Sequence, residues 1–409
     1  MSTEIPPLPY LERYRNGGTR TYSPHAGYTE ASERYRPDSE TREVEIPTFD
    51  MPKEGMNLYT ANPTSELEAT YLGPDWVRFC LHPQVPEEHP EDPYVLRTLA
   101  LGTRRADVSA SPSSSTRTLY VQGHDHPHAL KLHFPFRVSR YGRRMRDKVV
   151  QQAIAVSAEL EDWKGMPDSG FAFLREVIGV THPNLDEKSA RAENWGYLVR
   201  DLVPFPHRPE PGTLIPGFAL YGKDYFDPKV LPLLHDLVGG RDPAQWTLEN
   251  VFLPIIRQWI ACFRDLGFIL EPHGQNVLLE VSPTGSVTRI VHRDLSVGID
   301  MRRRRDLGLP DGDLNAYNRM ETGEFLSIAY DKFMGGHFFD PLMAAASALD
   351  PQLTPEDFRG PCRDEFARTF PEPEAERYFP GTVHYFTEER DRFGKPLYQD
   401  TGQPPNWRP

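Results

Sequence analysis

Cysteines and long apolar runs are both scarce in this sequence. Its 409 residues contain three cysteines, Cys80, Cys262 and Cys362, which are widely spaced and form no CxxC pair. This usage argues against a disulfide scaffold or a zinc knuckle and is typical of a reducing cytosol. No stretch approaches the ~20 apolar residues of a membrane helix, and residues 1–18 lack an apolar core of signal-peptide length. We therefore expect a cytoplasmic protein with no membrane partner.

Basic residues are outnumbered by acidic ones. The sequence has 46 Lys and Arg against 59 Asp and Glu, which gives a net charge of −13. General nucleic-acid binding is therefore disfavoured, because the phosphate backbone would be repelled. The 41 prolines indicate ordered turns and long loops rather than a helical bundle. A chain of this length favours about two or three subdomains over one simple core.

The patterning divides the chain into three parts. Residues 1–60 are polar and show no sustained periodicity, which predicts an extended or partly disordered arm. Residues 61–205 are predicted to be rich in β-strands, and residues 206–409 to be mainly helical. Strict alternation of apolar and polar residues over 130–139 predicts one strand with a single buried face. Together these features place the protein in the α+β class.

Hairpins and a long helix are predicted around two groups of polar residues. The turn 123–128 joins two strands, and the apolar segment 248–267 reads as one helix that stops at Gly267. The segment 171–180 is compatible with a helix end or a strand. Residues 276–281 and 287–295 form a second hairpin across the turn SPTG. Each hairpin is preceded by a polar loop.

These loops and their hairpins carry two clusters of reactive side chains. The first offers hydroxyls and cations: Ser115, Arg117, Thr118, Lys131 and Arg143. The second offers carboxylates, amides and an imidazole, followed by a cation: Glu271, His273, Gln275, Asn276, Arg293 and Asp294. Cations and hydroxyls suit phosphate oxygens, whereas carboxylate and amide oxygens suit Mg²⁺. Facing each other they would form a nucleotide–metal site; the alternative is two hairpins whose polar faces are solvated.

The same residues carry a family resemblance. The segments SPSSSTRTLYVQ and LKLHFPFRVSRYGRR, followed by GFILEPHGQNVLL and RIVHRD, resemble the aerobactin-synthetase-like siderophore synthetases that work independently of nonribosomal peptide synthetases. The family's Arg-Glu-x-Pro strand has its counterpart in LVRDLVPF, with Asp201 in place of Glu. Its His-Pro-Trp-Gln element appears as His82-Pro83-Gln84, without Trp. The resemblance spans about residues 75–300, and the family's usual N-terminal subdomain has no counterpart in the sequence.

The resemblance implies a hand-like synthetase fold, in which antiparallel hairpins and sheets line an ATP cleft surrounded by helices. Residues 61–205 would form its fingers-like ATP-binding subdomain, and residues 206–409 its palm-like subdomain with the EPHGQN corner and the C-terminal tail. Residues 1–60 are expected to cover the cleft or a partner subunit. A homodimer is compatible with this reading.

The resemblance also implies a reaction, with ATP and Mg²⁺ as cofactors. A small carboxylic acid would be adenylated, with release of pyrophosphate, and condensed with an amine, hydroxylamine or alcohol in siderophore or related natural-product biosynthesis. The catalytic residues would be Arg117, Lys131, Arg143 and His273. Nucleotide contacts would come from Ser115, Thr118, Gln275, Asn276 and Arg293. The metal ligands would be Glu271, Asn276 and Asp294. The acid substrate would contact His82 and Arg143, although His82 is equally compatible with capping a strand.

Other interpretations of the sequence stay open. The segment HRDLSVGID matches the start of a protein-kinase catalytic loop, but Ile299 stands where that template needs Asn. A catalytically lapsed relative that binds a ligand or a partner is a further alternative. The histidines of GHDHPHALKLH favour a solvated turn over a metal site. The basic run 302–305 is more typical of a solvated face than of a substrate site.

Overall fold

The computed structural model describes residues 5–19, 27–139, 141–185, 195–311, 314, 318–390 and 396–409. It contains these strands: β1 Val44–Ile46, β2 Thr48–Pro52, β3 Asn57–Thr60, β4 Trp76–Cys80, β5 Thr103–Arg104, β6 Val108–Pro112, β7 Thr118–Val121, β8 His128–Leu132, β9 Phe134–Val138, β10 Tyr141–Arg143, β11 Glu176–Thr181, β12 Gly196–Asp201, β13 Thr213–Pro216, β14 Phe268–Ile269, β15 Val277–Val281, β16 Val287–His292, β17 Gly298–Asp300, β18 Arg319–Met320, β19 His384–Arg390 and β20 Pro396–Asp400.

The α-helices range from four to 15 residues in length. They are α1 Leu8–Tyr14, α2 Ser65–Tyr71, α3 Gln84–Glu88, α4 Pro93–Leu101, α5 Asp147–Glu161, α6 Met166–Ser169, α7 Leu233–Val238, α8 Pro243–Thr247, α9 Leu253–Leu266, α10 Met301–Leu307, α11 Glu324–Ser327, α12 Asp340–Ser347, α13 Pro355–Thr369 and α14 Glu374–Tyr378. Two further segments, Leu248–Phe252 and Ile328–Phe339, are π-helical.

A seven-stranded antiparallel sheet forms the centre of the first part, in the order β1-β6-β7-β8-β12-β11-β3. Helix α5 packs on it where Gly179 of β11 lets Val150 approach, since a Cβ there would lie 2.4 Å from a Val150 methyl carbon. A smaller antiparallel sheet, β13-β15-β16, lies in the second part. Backbone hydrogen bonds from His292 to Ala172 and from Leu174 to His292, of 2.8 and 2.9 Å, tie β16 to the segment before β11. The two sheets therefore hold their loops in fixed relation.

The α+β class predicted from the sequence is confirmed, and so is the hairpin formed by β15 and β16. The segment 171–180 contains a strand, β11. The predicted helix over 248–267 is a π-helical turn followed by α9, and Gly267 ends it with φ of 71°. A side chain could not replace that glycine, because its Cβ would lie 2.8 Å from Arg304 Cγ.

Two expectations from the sequence need correction. The predicted single strand over 130–139 is two strands, β8 and β9, and its polar residues Lys131 and His133 are buried rather than solvated. The alternation expected of one buried face holds only from Phe134 onward, because Lys131 points into a polar cavity and His133 stacks on Trp195 with ring centroids 4.5 Å apart.

The arm over residues 1–60 is largely structured where it is described. Helix α1 is buried at Leu11, and β1 and β3 are the two edge strands of the large sheet. Residues 1–4 and 20–26 of the arm lie outside the described residues. Burial of apolar side chains explains the difference, because Leu11 and Tyr35 are inaccessible to solvent despite the polar composition around them.

Candidate functional site

One cavity of about 260 Å³ gathers both polar clusters. Its walls include every residue of the two clusters predicted from the sequence: Ser115, Arg117, Thr118, Lys131, Arg143, Glu271, His273, Gln275, Asn276, Arg293 and Asp294. Further residues at the cavity that were not predicted to belong to the site are Glu12, Ser113, Tyr120, Val138, Arg144, Val149, Arg200 and Ser296. The two clusters therefore face each other, as the nucleotide–metal interpretation requires.

Ser115 and Arg117 of the first cluster lie on the tight connection between β6 and β7. Ser113 and Ser115 share a hydrogen bond of 2.8 Å between their hydroxyls, and the Thr118 N–H donates to Ser115 Oγ at 3.3 Å. Thr116 adopts a left-handed backbone with φ of 66°, which turns the chain sharply before Arg117. Arg117 Nη1 donates to the carbonyl of Arg143 at 3.1 Å. This contact places two guanidinium-bearing residues, 117 and 143, on one wall of the cavity.

Lys131 joins the two clusters. It pairs with Thr118 across β7 and β8, and its Nζ lies 2.7 Å from Asp294 Oδ1. Burial lowers the pKa of Lys131, and the Asp294 charge opposes that shift. Burial acts to raise the pKa of Asp294, but the charges of Lys131, Arg200 and Arg117 outweigh it and hold that pKa below its usual range. The cavity therefore contains an ionised pair between strands that are far apart in sequence.

Four residues of the second cluster, Glu271, His273, Gln275 and Asn276, lie in the corner between β14 and β15. The imidazole of His273 accepts a hydrogen bond at Nδ1 from the Gln275 N–H, at 3.3 Å. Burial lowers the pKa of His273 to about 4, so the ring is neutral near pH 7. A neutral ring that accepts at Nδ1 carries its proton on Nε2. His273 is therefore a donor toward an anion in the cavity.

Three side chains, those of Glu271, Asn276 and Asp294, provide oxygen ligands of the kind that Mg²⁺ prefers. Burial, and next the Asp294 charge, raise the pKa of Glu271 to about 8, so an added cation would favour its ionised form. Asn276 donates through Nδ2 to the Glu271 carbonyl at 3.1 Å, so Oδ1 is the atom that a cation would bind. Among the described residues no group of three or more His, Cys, Asp or Glu forms a metal cluster. The set fits a cation that also takes ligands from phosphates and water.

Arg293 is held by the protein on three sides. Its Nε donates to the Gln275 carbonyl at 2.7 Å, Nη1 to the Tyr120 hydroxyl at 2.9 Å, and Nη2 to Glu12 Oε1 at 2.6 Å. These contacts fix the backbone of the corner. The partner Glu12 could not be recognised from the sequence, because α1 lies in a segment without periodicity. Arg200 could have been recognised beside Asp201 in the LVRDLVPF segment.

His82 does not line the cavity. Its buried ring lies against Tyr35 and Phe134, and its Nε2 is 3.1 Å from the carbonyl oxygen of Thr116. Burial lowers the pKa of His82 to about 3, so the neutral ring donates this hydrogen bond. The geometry favours support of the loop between β6 and β7, which contains Thr116, over contact with a substrate.

Replacing His82 with Phe should separate these roles. The ring volume is kept while the donor to Thr116 is lost, which we expect to cost about 1–2 kcal/mol of stability. Chemical denaturation would measure this loss, and steady-state assays with the carboxylic acid that the sequence predicts as substrate would show a KM within about twofold of the parent value. A large rise in that KM without loss of stability would instead place His82 at the substrate.

The remaining polar motifs have structural partners. His126 Nε2 lies 2.8 Å from Asp201 Oδ1, and His128 Nε2 lies 2.6 Å from the Tyr71 hydroxyl, so these two histidines form side-chain contacts rather than a solvated turn. Within the basic run, Arg304 is buried against Glu159, while Arg305 pairs with Glu321 at the surface. His292 of the kinase-like motif is buried 2.9 Å from Gln258 Oε1.

Comparison with known proteins gives two kinds of match. Residues 94–221 match the model of the IucA / IucC family. The petrobactin biosynthesis protein AsbB of Bacillus anthracis str. Sterne superposes with a TM-score of 0.74, at 16% identity, over 99% of this chain and 75% of AsbB. A comparison with curated proteins found no match.

Two aerobactin synthetases from a hypervirulent pathotype of Klebsiella pneumoniae have the same fold. The structure of ATP-bound IucA matches with a TM-score of 0.66, at 17% identity, over 87% of this chain and 70% of IucA. IucC matches with a TM-score of 0.64, at 14% identity, over 84% of this chain and 66% of IucC. At such identities the structures establish a common fold.

The fold is that of AsbB and of the aerobactin synthetases IucA and IucC. This confirms the hand-like synthetase fold and the family resemblance that the sequence predicted. The match to the IucA / IucC family model covers residues 94–221. That segment includes the whole first cluster, whereas the Glu271–Asp294 cluster lies outside it.

Proposed function

We propose that the protein is an ATP- and Mg²⁺-dependent ligase that adenylates a small carboxylic acid and transfers the acyl group to an amine, hydroxylamine or alcohol. One observation carries the proposal: in a protein of net charge −13, the cavity is lined by six cations and only three carboxylates. The cations are Arg117, Lys131, Arg143, Arg144, Arg200 and Arg293, and the carboxylates are Glu12, Glu271 and Asp294. Because the raised pKa of Glu271 keeps that carboxyl largely protonated near pH 7, the surplus is at least three positive charges, which suits a polyphosphate together with a carboxylate.

The phosphates of ATP would lie between the two clusters. Arg117 and Arg143 offer guanidinium groups from one wall, and His273 offers Nε2–H from the other. Ser115 and Thr118 would donate to the same oxygens, and the corner Gln275–Asn276, fixed by Arg293, would orient them.

Mg²⁺ would be held by Glu271, Asn276 and Asp294 together with phosphate oxygens. When bound, it would neutralise phosphate charge and favour departure of pyrophosphate. Lys131 would share Asp294 with the metal, since its Nζ already lies 2.7 Å from that carboxylate.

The chemistry needs no covalent enzyme intermediate. A carboxylate oxygen of the acid attacks the α-phosphorus of ATP, the bond to the β-phosphate oxygen breaks, and pyrophosphate leaves. The acceptor nitrogen or oxygen then attacks the acyl carbon, the bond to the AMP oxygen breaks, and the acceptor loses a proton. Arg117, Lys131 and Arg143 would stabilise charge on the pentavalent phosphorus, which is the main catalytic contribution. The three cysteines, all buried, take no part.

For the biological setting we propose a class of pathway. The acid and its acceptor would belong to siderophore or related natural-product biosynthesis, and the reaction would take place in the cytoplasm. No helix in the described part of the chain is long and apolar enough to cross a bilayer. A homodimer stays a prediction, as does the division of the chain at residues 60 and 205.

The decisive experiment is pyrophosphate release from ATP with a panel of di- and tricarboxylic acids and amino acids, with hydroxylamine present to trap the adenylate. Acid-dependent pyrophosphate together with a hydroxamate would support the ligase and identify its acid. ADP and phosphate would point to phosphoryl transfer instead. Failure to bind ATP in equilibrium titration would favour a lapsed enzyme.

The raised pKa of Glu271, about 8, predicts a pH dependence in the ligand-free protein. Between the ordinary pKa of a glutamate and 8, the folded state holds a proton that the unfolded state has lost, so the Glu271 contribution to stability declines as pH rises and levels off above about 8. Denaturation of the parent and Glu271→Gln proteins from pH 5 to 9 would measure the difference. Parallel curves would contradict the prediction.

The affinity for Mg²⁺ should show the opposite pH dependence. Because the metal needs the ionised carboxylate, its affinity for the nucleotide-bound protein should rise with pH up to about 8 and then level off. Calorimetric titration with Mg²⁺ at several pH values would test this, and Glu271→Gln would remove the pH-dependent part.

A further inference from the structure

Helix α1 lies between the two clusters and contacts both of them through one residue. The carbonyl of Glu12 accepts a hydrogen bond from the Ser114 N–H, at 3.1 Å, in the loop of the first cluster. Its carboxylate accepts from Arg293 Nη2 at 2.6 Å, and Arg293 in turn donates to the Gln275 carbonyl of the second cluster. Glu12 is thus a direct link between the two walls of the cavity.

Hydrogen bonds to residues outside the cavity hold helix α1 in place. The Tyr10 hydroxyl donates to Asp224 Oδ2 at 2.9 Å, and the backbones of Gly17 and Lys223 exchange hydrogen bonds of 2.9 and 3.0 Å. On the other side, Arg13 Nη2 donates to the carbonyl of Arg34 at 2.8 Å. These contacts hold α1 against two separate segments of the chain.

The contact between Glu12 and Arg293 is an ion pair that is almost fully buried. Glu12 is 1% exposed and Arg293 is 5% exposed, and the Tyr120 hydroxyl accepts a further hydrogen bond from Arg293. In such surroundings, removing one partner leaves the other charge buried and uncompensated. Arg293 would then change its position, and with it the carbonyl of Gln275 and the neighbouring side chains of His273 and Asn276.

We infer that Glu12 is a positioning residue for nucleotide binding, which sets the separation and orientation of the two phosphate-binding walls through Ser114 and Arg293. The inference rests on the proposed function, because the group positioned is the proposed nucleotide site. In this role Glu12 would not need to touch the reacting atoms. It acts through Arg293 on the corner and through its own carbonyl on the loop.

Glu12→Gln tests the charge of this link, and Glu12→Asp tests its geometry. We expect Glu12→Gln to raise the KM for ATP and the dissociation constant of a fluorescent ATP analogue by about 30-fold. This lies within the losses of about 10- to 100-fold that follow when residues that orient metal ligands are removed. The KM for the acid should stay within about twofold. Glu12→Asp, which retains the charge, should recover most of the affinity.

Two control variants separate positioning from general stability. Leu11→Ala, in the same helix, removes a fully buried apolar side chain and should lower Tm without changing the KM for ATP. Glu40→Gln removes an exposed carboxylate from the same segment and should change neither quantity. If Arg293 carries the effect, Glu12→Gln should add little to Arg293→Gln in a double-mutant cycle.

The outcomes distinguish the two proposals. A parent protein that binds the nucleotide while Glu12→Gln binds it equally well would overturn the positioning role and leave the ligase proposal intact. An equal rise in KM for Leu11→Ala would also overturn it, because the effect would then belong to the helix as a whole. A parent protein that binds no nucleotide would overturn both proposals.

Discussion

Asp294→Asn is expected to lower kcat/KM for acid-dependent pyrophosphate release by about 10³-fold, a loss of about 4 kcal/mol of transition-state stabilisation. The carboxylate is both the partner of Lys131, at 2.7 Å, and a proposed metal ligand. Asn keeps the shape of the side chain, and it tolerates the left-handed backbone at this position, where φ is 71°. The change therefore removes a charge without adding backbone strain.

The same substitution leaves Lys131 without its carboxylate. Lys131 is 4% exposed and Asp294 is 29% exposed, so we expect a moderate loss in the free energy of unfolding, about 2 kcal/mol. Asp236→Asn, at an exposed position, is the matched control and should change neither activity nor stability. Activity within about tenfold of the parent, in a folded Asp294→Asn protein, would exclude this carboxylate from the chemistry.

Arg117→Met should produce the second large effect, a fall of about 10³-fold in kcat. The side chains are similar in length, but Met has no charge to offer the α-phosphate. Burial lowers the pKa of Arg117 only to about 10, so the parent guanidinium stays charged near pH 7. Arg117→Lys should retain the charge yet lose the planar fork, and we expect a smaller fall of about 10²-fold.

The relative kcat values of Arg117→Met and Arg117→Lys are the informative result. Single-turnover measurement of adenylate formation would separate the chemical step from product release, and Arg208→Met, at an exposed site, is the control. Equal losses for Met and Lys would mean that bidentate geometry matters more than charge. Full activity in Arg117→Lys would mean that a point charge is sufficient at this position.

Much of the candidate site could be predicted because its residues lie close together in sequence. Glu271, His273 and Asn276 are within six positions of one another, and the turn between two apolar elements forces them into one corner. Thr118 and Lys131 could be related because adjacent strands of a hairpin bring them side by side. Local spacing and β-pairing were sufficient for these groups.

The parts that the sequence did not reveal depend on contacts over long distances. Glu12 meets Arg293 across 281 positions, in a helix of seven residues whose segment has no periodic pattern. The burial of His133 was missed because strict alternation places every second residue in solvent, whereas the ring of Trp195 packs against His133 here. His82 could not be placed either, since the sequence does not show that its ring faces the back of the loop.

The link between Lys131 and Asp294 spans 163 positions in the chain, and that between Glu12 and Arg293 spans 281. Closing such loops carries an entropic cost that grows with length, and proteins dominated by non-local contacts fold slowly. The cavity is therefore expected to form late in folding, after both sheets have paired. Intermediates that lack it would be unable to bind nucleotide, so a ligand that selects the finished cavity would draw the folding equilibrium toward the native state.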